Sequence, residues 1–393
     1  MEVGYSYLSE QFPVHLQQGH ADERTYQIEV PGKFYPVLND MLRVIESGAF
    51  TLGGPVGVLE DLWAEYCGAE WAVGVASGTD ALKLALRVVG VEPDYPGHQK
   101  TQVVIVPAYT FPSTVNAIIE AGGTPYFVDV EETGVLDWGQ AAIAVEETGA
   151  VAAMPVWWGG YMAPPINAAS CPVPIIEDAC QAVGAEWSGH RAGSYGLLGG
   201  FSLHPLKNVN VLGDGGVVTG KFDAHESALR VLRNNGIIDR DTWQRPGYNS
   251  RLDTLQAVVA IHMLAGVAEV NAQRRSNASV YDTAIRGIPG LSLPPFDTTE
   301  KFAHVYHLYQ FFVDGGEEVR DVLVNFLNKR GIEAKVHYPK NLWEQPAARN
   351  IGGTGDYPNA ARFASSSVTL PVHQYLKPEQ LDYVTQVLGE FFN

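Results

Sequence analysis

Hydrophobic positions follow two alternating patterns from about residue 72 onward. Short β-branched runs, typical of buried strands, alternate with stretches whose apolar residues fall at helical spacing. This alternation predicts an α/β fold in which helices cover a mostly parallel sheet. The predicted strands are 72–76, 103–106, 125–129, 151–156, 174–177, 200–203 and 216–219, which together make one seven-stranded sheet.

The pattern changes near residue 230, where longer helical stretches begin. One of them is 254–270, and shorter mixed helical and strand patterns follow to the end of the chain. Residues 1–30 show no clear period, and 38–45 form a short amphipathic helical pattern. We therefore predict a large domain over 48–265 and a smaller α+β domain over 266–393 that also includes the amino-terminal arm, 1–47.

Composition and charge narrow the class of function. The 393 residues include 44 Asp and Glu against 26 Lys and Arg, and the net charge of −18 repels nucleic-acid phosphates and anionic lipids. No stretch approaches the ~20 apolar residues that cross a bilayer, and the first residues lack a signal-peptide pattern. The three cysteines, Cys67, Cys171 and Cys180, show no metal-ligand spacing. We expect a cytoplasmic protein with no nucleic-acid partner, membrane segment or metal.

Polar clusters follow several predicted strands, at the edge where open α/β sheets bind ligands. The chain has no Gly-x-x-x-x-Gly-Lys-Ser/Thr loop and no His-Glu-x-x-His motif. The first cluster, Ser77-Gly78-Thr79, precedes a helical pattern over 80–89. Free backbone N–H groups at such a helix start can bind an anion, although the cluster is equally consistent with an ordinary helix cap.

Three further clusters carry charged side chains. Asp178 ends an apolar strand, so its carboxylate either needs a cationic partner or caps the next helix. Lys207 lies just past another buried strand, where a desolvated lysine is a nucleophile toward carbonyls, unless it extends to solvent. The last cluster contains Asn249 and Arg251, and Arg251 with Asp253 can be a plain surface ion pair.

An anion cradle, a carboxylate and a reactive lysine together match the needs of pyridoxal 5'-phosphate. With these residues the chain resembles the DegT/StrS-type sugar aminotransferases, a branch of the aspartate-aminotransferase fold (PLP-dependent transferase fold type I). The resemblance runs in order from about Gly48 to the carboxyl terminus. Its motifs are SGAFTLGGPV, GVASGTDALKLAL, VPAYTFPSTVNAI, IIEDACQAVGA, FSLHPLKNVNVLGDGG, GYNSRLDTLQA and KVHYP.

The resemblance implies a role for each matching residue. Lys207 would bind the cofactor as a Schiff base and shuttle protons, and Asp178 would pair with the pyridinium nitrogen. Phe111 would lie against the cofactor ring, and Gln181 would neighbour its hydroxyl. The phosphate would be held by Ser77, Gly78, Thr79 and Ser202, and by Asn249 on a loop from a neighbouring subunit. The family likeness therefore implies a homodimer with composite active sites.

The sequence departs from the family after the fourth predicted strand. Many relatives carry His-Leu, an aromatic residue and Gly there, whereas this chain has Trp157-Trp158-Gly159-Gly160. We expect Trp157 and Trp158 to border the substrate pocket, with core packing as the alternative. His337 and Tyr338 are expected to face the same pocket.

The resemblance predicts an aminotransferase of amino-sugar biosynthesis. It would move an amino group from glutamate or glutamine to a keto sugar, either nucleotide-linked or a sugar phosphate. Because the net charge is negative, an anionic acceptor must be met by local groups such as Arg251, Lys335 and His337. The alternatives are a keto-cyclitol aminotransferase of an aminoglycoside pathway and, from another class, a non-catalytic PLP-binding regulatory protein.

Overall fold

The computed structural model describes residues 1–11, 15–18, 26–29, 34–93, 102–164 and 171–392. Its helices are α1 (Leu8–Gln11), α2 (Tyr35–Ser47), α3 (Gly54–Cys67), α4 (Gly78–Val88), α5 (Pro112–Ala121), α6 (Trp138–Thr148), α7 (Asp223–Arg233), α8 (Thr254–Ala265), α9 (Val267–Arg286), α10 (Gly316–Lys329), α11 (Pro358–Ser366) and α12 (Pro378–Phe392). Its strands are β1 (His15–Gln18), β2 (Tyr26–Glu29), β3 (Trp71–Val75), β4 (Val103–Pro107), β5 (Thr124–Val128), β6 (Ala152–Ala153), β7 (Ile176–Asp178), β8 (Glu186–Trp187), β9 (His190–Arg191), β10 (Leu198–Ser202), β11 (Gly216–Gly220), β12 (Ile237–Asp239), β13 (Thr242–Trp243), β14 (Leu291–Ser292), β15 (Tyr309–Val313), β16 (Gly352–Gly353) and β17 (Ser367–Leu370).

The central sheet consists of two hydrogen-bonded halves. One half has the order β3-β11-β10-β7 and the other β16-β5-β4-β6. Parallel bridges from Ala153 to Ile175 and from Val156 to Asp178 join β6 to β7. Neighbouring strands are parallel except where β11 pairs with β3 and β10. The mostly parallel α/β sheet is confirmed, and each of the seven predicted segments supplies one of its strands.

The sheet has one strand that the pattern does not predict. The two glycines of β16 pair with β5 and extend the sheet by an eighth strand. A two-residue glycine strand has no β-branched or alternating signal, so its position depends on the rest of the fold. The segment before α11 and α11 itself pack into the same core, through Tyr357 and Phe363.

Helices cover both faces of the sheet because its strands are apolar on both faces. β3, β4 and β10 are buried along their whole length, as expected for a parallel sheet. α4 and α5 pack together over one face, whereas α3 and α8 pack together over the other. α2 packs against α8, and Val37 and Val44 join the core beneath α3 and α8.

A second, smaller core surrounds the antiparallel sheet β14-β15-β17. α9, α10 and α12 cover this sheet, and Val3 of the amino-terminal arm joins the core through a bridge to Ile332. The first residues of the arm therefore pack with the smaller core, whereas α2 packs with the core of the large sheet.

The predicted helix over 254–270 is two helices. α8 ends at Ala265 and α9 begins at Val267, with a bend of 57° between them. Within the described ranges no single helix is long and apolar enough to cross a bilayer, and this bent pair meets that test only when its two helices are taken together.

Candidate active site

Four strand ends meet around one cavity of about 320 Å³. Residues after β3, β4, β7 and β10 form its floor, because parallel strands bring their carboxyl ends to the same edge of the sheet. Segments from the smaller core and the amino-terminal arm complete the wall. The predicted site residues that line the cavity are Ser77, Gly78, Thr79, Phe111, Asp178, Gln181, Ser202, Lys207, Lys335, His337 and Tyr338.

The start of α4 forms an anion cradle at this cavity. Ser77 caps the helix, and its Oγ accepts a hydrogen bond from the Asp80 backbone nitrogen at 3.1 Å. The N–H groups of Gly78 and Thr79 in the first turn have no acceptor within the helix. A Cβ on Gly78 would lie only 2.6 Å from the Ser202 Cβ, so glycine is required for this close approach. The cradle suits a phosphate in charge and in access.

Asp178 is held rigidly at the end of β7 and is almost fully buried. Its Oδ2 accepts a hydrogen bond from the Thr114 hydroxyl at 2.8 Å, and its Oδ1 accepts one from the Cys180 backbone nitrogen at 3.1 Å. These two contacts fix the carboxylate at the cavity without neutralising it. A positively charged ring nitrogen is the kind of partner that such a buried carboxylate needs.

Lys207 enters the cavity from the turn after β10. Its backbone nitrogen donates to the His204 carbonyl at 2.8 Å, and its own carbonyl accepts from the Tyr7 hydroxyl at 3.0 Å. Burial lowers the pKa of the Lys207 amine, whereas Cys180 and Asp178 act in the opposite direction. A lowered pKa increases the uncharged fraction of the amine, which is the form that attacks carbonyl carbon and accepts protons.

Gln181 is oriented by the turn that replaces the family's aromatic residue. Its Oε1 accepts a hydrogen bond from the Gly159 backbone nitrogen at 2.7 Å. Gly159 and Gly160 both have positive φ, 64° and 93°, and a Cβ on Gly160 would approach the Gln181 carbonyl to 2.8 Å. The Gly-Gly pair therefore allows the chain to pass close to residue 181.

Trp157 and Trp158 are core residues and do not line the cavity. The Trp157 indole nitrogen donates to Glu177 Oε2 at 2.7 Å, and that of Trp158 donates to Gln310 Oε1 at 2.7 Å. The Trp158 ring packs edge-on against Tyr338, with centroids 5.8 Å apart. The structure therefore favours core packing of the two tryptophans over a place at the border of the substrate pocket. Trp158 packs against Tyr338, which itself lines the cavity.

Asn249 and Arg251 lie away from the cavity of their own chain. Asn249 is exposed on a segment that pairs with Asn234, and Arg251 Nη1 donates to the Asn234 side chain at 2.9 Å.

Phe111 lies at the cavity mouth with 47% of its surface exposed. Its ring centroid is 5.8 Å from that of Tyr338, and both residues line the cavity.

The structure adds residues that sequence reasoning missed. Tyr5 reaches the cavity from the amino-terminal arm and stacks on His337, with centroids 5.6 Å apart. The Lys335 Nζ lies 4.4 Å from the Tyr5 ring centroid. His307 also lines the cavity, and its buried Nδ1 has no hydrogen-bond partner within the described part of the chain. The aromatic character of the first residues was the only signal for Tyr5, and no local pattern marks His307.

The acceptor side of the cavity contains neutral and aromatic groups as well as one lysine. Burial lowers the pKa of His337 to about 4, with Lys335 and Lys207 adding to the effect. His337 Nδ1 lies 3.0 Å from the Thr369 hydroxyl, which orients the ring. At neutral pH this imidazole is therefore uncharged and can only donate or accept hydrogen bonds.

The polar groups that face the cavity match pyridoxal 5'-phosphate in their chemistry. An anion cradle, a buried carboxylate and an amine of lowered pKa face one cavity, and the glycine at position 78 leaves the cradle open. Ser77, Gly78, Thr79 and Ser202 can hold the phosphate, Asp178 the ring nitrogen and Lys207 the aldehyde carbon.

Comparison with known proteins gives the same assignment. Residues 37–389 match the DegT/DnrJ/EryC1/StrS aminotransferase family. A dTDP-3-amino-3,4,6-trideoxy-alpha-D-glucose transaminase of Streptomyces venezuelae is 35% identical over 359 residues, which covers 89% of this chain and 90% of the relative. A pleiotropic regulatory protein of Geobacillus stearothermophilus is 34% identical over 364 residues, or 91% and 93% of the two chains.

A solved structure shows the same fold. The X-ray structure of DesV from S. venezuelae superposes with a TM-score of 0.80 at 32% identity, covering 91% of this chain and 94% of that one. Fold, cavity chemistry and sequence agree on one cofactor, pyridoxal 5'-phosphate. This chain belongs to the DegT/DnrJ/EryC1/StrS aminotransferase family.

Proposed function

We propose that this protein transfers an amino group from glutamate or glutamine to a nucleotide-linked keto sugar. The observation that carries the proposal is the meeting of Lys207, Asp178 and the α4 cradle in one cavity. The transaminase of S. venezuelae, whose name specifies a dTDP-linked amino sugar, supports the acceptor class. A regulatory protein without turnover has no need for a desolvated lysine opposite a buried carboxylate.

The proposed mechanism assigns one task to each residue. The cofactor, when bound, supplies an aldehyde carbon and an electron-withdrawing ring that stabilises negative charge on the substrate carbon. Lys207 would hold the aldehyde carbon through its Nζ, and the same amine, when free, would take up the substrate proton and return it. Asp178 keeps the ring nitrogen protonated, and Thr114 keeps the Asp178 carboxylate aligned. The N–H groups of Gly78 and Thr79 hold the phosphate.

We assign binding of the keto-sugar substrate to the cavity wall that is formed by residues from the smaller core. Lys335 pairs with Glu333 at 2.9 Å and remains partly exposed at the cavity, where it can meet a phosphate. His337, Tyr338 and Tyr5 offer aromatic faces to a sugar ring or a base. Replacing Lys335 should raise the acceptor's KM and leave the glutamate half-reaction unchanged, because binding is weakened without a change in the chemistry.

Single-turnover kinetics test the acceptor class. The enzyme is first loaded with an amino group by glutamate and then mixed with nucleotide-linked keto sugars, keto sugar phosphates and neutral keto-cyclitols. We expect a nucleotide-linked keto sugar to react fastest. Faster turnover of a neutral keto-cyclitol would replace the proposal with the cyclitol alternative, and failure of glutamate to load the protein would favour a non-catalytic role.

We also propose that the active unit is a homodimer with composite sites. The segment that holds the exposed Asn249 lies beside an apolar surface, because Thr51 pairs with Asp253 and α2 and α3 pack against α8. The exposed apolar side chains there are Leu42, Ile45, Phe50, Leu52, Val58 and Leu62. A second copy of the chain would cover them and bring its own Asn249 to the cradle.

Subunit complementation tests the composite site. Lys207→Ala and Asn249→Ala chains are inactive or weak alone, and a mixture should regain partial activity because one of the two sites in a mixed dimer has both groups. The matched control mixes Lys207→Ala with Asp178→Asn. Both residues belong to one chain's cavity, so every site in this mixture lacks one of them and no activity should return. A monomer in sedimentation, or no recovery with Asn249→Ala after subunit exchange has been confirmed, contradicts the proposal.

A further inference from the structure

An acidic side chain in the first turn of α4 is turned away from the anion cradle. Asp80 is the third residue of the helix, directly after Gly78 and Thr79. Its Oδ2 accepts a hydrogen bond from the Ser250 hydroxyl at 2.7 Å, and its Oδ1 forms a close ion pair with Lys83. The carboxylate is therefore held by two groups outside the cradle.

An acidic residue at this helix position normally does something different. In a capping box, the side chain of the third residue reaches back to the backbone N–H of the cap residue, which here is Ser77. Here only half of that arrangement exists, because Ser77 Oγ accepts from the Asp80 nitrogen while the Asp80 carboxylate points elsewhere. A carboxylate that turned back to the Ser77 N–H would lie beside the N–H groups of Gly78 and Thr79, and its negative charge would repel a phosphate bound there.

Ser250 is itself held in place beside the Asp80 carboxylate by burial and by hydrogen bonds. It is 1% exposed, its backbone nitrogen donates to the Arg233 carbonyl at 2.9 Å, and its hydroxyl is near the Ala76 nitrogen at 3.4 Å. Lys83 is also buried, and its Nζ lies 4.6 Å from the Tyr248 ring centroid on the same segment. The segment 248–250 thus contacts both Asp80 and Lys83.

We propose that Ser250 and Lys83 are positioning residues that keep the Asp80 carboxylate off the phosphate-binding turn of α4. Removing either group would free the carboxylate to cap its own helix and so weaken phosphate binding. The inference rests on the proposed function only in so far as the cradle binds the cofactor's phosphate. It assigns Ser250 a role distinct from that of its neighbour Asn249, whose side chain is exposed.

Cofactor binding to the full-length chain, freed of cofactor, separates this role from a structural one. Each variant is titrated with pyridoxal 5'-phosphate and with pyridoxal, which lacks the phosphate. We expect Ser250→Ala to raise the Kd for pyridoxal 5'-phosphate about tenfold and to change that for pyridoxal less than about twofold. Adding Asp80→Asn to Ser250→Ala should restore tight binding, because the competing charge is gone.

Single variants complete the design. Asp80→Asn alone should bind pyridoxal 5'-phosphate at least as tightly as the wild type, and Ser250→Thr, which keeps a hydroxyl, should retain most of the affinity. If Ser250→Ala folds poorly by thermal melting, Lys83→Met with and without Asp80→Asn gives the same comparison.

Either of two results with the Asp80→Asn variants would overturn the inference. One is weakened phosphate binding in Asp80→Asn alone, and the other is a double variant no better than Ser250→Ala. Equal loss of affinity for both ligands would also overturn it, because the effect would then not involve the phosphate. A wild type that fails to prefer pyridoxal 5'-phosphate over pyridoxal would instead contradict the cradle itself, and with it the proposed function.

Discussion

Two neighbouring carboxylates at the end of β7 have opposite environments because side chains alternate along a strand. Glu177 points into the core, where it accepts hydrogen bonds from Trp157 and from the backbone nitrogens of Gly193 and Gly196. Burial raises the pKa of Glu177, and these donors oppose the shift. Asp178 points to the cavity and keeps acceptor capacity for a ligand. A one-residue shift in register would exchange the two roles.

The first prediction concerns Asp178→Asn. The amide cannot accept a hydrogen bond at both of its terminal atoms, and it has no charge to stabilise a protonated ring nitrogen. We expect the fold to persist and the rate of the glutamate half-reaction to fall about 10²–10³-fold, as for the loss of one strong electrostatic contact. Stopped-flow spectroscopy measures this rate. Thr114→Val, which removes one contact of the carboxylate and keeps its charge, should cost far less; equal rates for Asp178→Asn and the wild type would contradict the assignment.

The second prediction concerns Lys207→Ala. Borohydride should attach the cofactor permanently to the wild-type chain, because the lysine amine bonds to it, and mass spectrometry should find the added mass on the peptide that contains Lys207. The alanine variant should show no added mass and no transamination. Lys335→Ala serves as the control, since Lys335 lines the same cavity and should leave trapping intact. Trapping in the Lys207→Ala protein would assign the covalent bond to another residue.

At the scale of elements, the first turn of α4 defines the cradle. The helix starts after β3 with Ser77 as its cap, and it packs against β10 and β11 so closely that Gly78 nearly touches Ser202. The strand, turn and helix are adjacent in sequence, so their arrangement follows from local chemistry. The distance between the helix and Ser202 follows from packing across the sheet.

The third prediction is that Gly78→Ala displaces this turn. The added Cβ would lie 2.6 Å from the Ser202 Cβ, so helix or strand must shift, and overpacking of this kind costs about 1–3 kcal/mol. We expect a lower melting temperature and at least tenfold weaker cofactor binding, measured by thermal denaturation and by titration. Gly57→Ala in α3 is the control, because nothing lies within 4 Å of its Cβ and alanine favours the helix by up to about 1 kcal/mol. Unchanged affinity in Gly78→Ala would show that the turn does not hold the phosphate.

At the scale of the whole molecule, the cavity joins parts of the chain that are far apart in sequence. Tyr5 comes from the amino-terminal arm, Asp178 and Lys207 from the large sheet, and His307 and His337 from the segments around the smaller core. Packing of these distant segments buries imidazoles both in the cavity and elsewhere in the chain. Burial lowers the pKa of His304 to about 3 and those of His337 and His373 to about 4.

The fourth prediction is a loss of stability at mildly acidic pH. Between the unfolded pKa of about 6.5 and the lowered pKa of the folded state, the unfolded chain binds protons that the folded chain does not. The free energy of unfolding therefore falls as the pH decreases through this window, by up to about 1.4 kcal/mol per pH unit for each such histidine. His304→Asn, which keeps an acceptor for the Tyr306 nitrogen, should flatten the dependence of the melting temperature on pH between 6.5 and 5.

The matched control is His190→Asn on β9, where the side chain is exposed. This variant should reproduce the wild-type dependence on pH. A wild-type melting temperature that stays constant or rises from pH 6.5 to 5, or an unchanged slope in His304→Asn, would contradict the burial argument.

Short-range patterns were enough to predict the strands, their mostly parallel arrangement and the polar clusters at their ends, which include Ser77, Asp178 and Lys207, because parallel order brings strand ends to one edge of the sheet. The residues that surround these clusters depend on long-range packing. Trp157 and Trp158 turn into the core because the positive-φ glycines that follow redirect the chain, and β16 exists only as an edge of a finished sheet. Tyr5 and His307 reach the cavity because segments that are distant in sequence pack together. That packing depends on the whole chain, so it leaves no local pattern in the sequence.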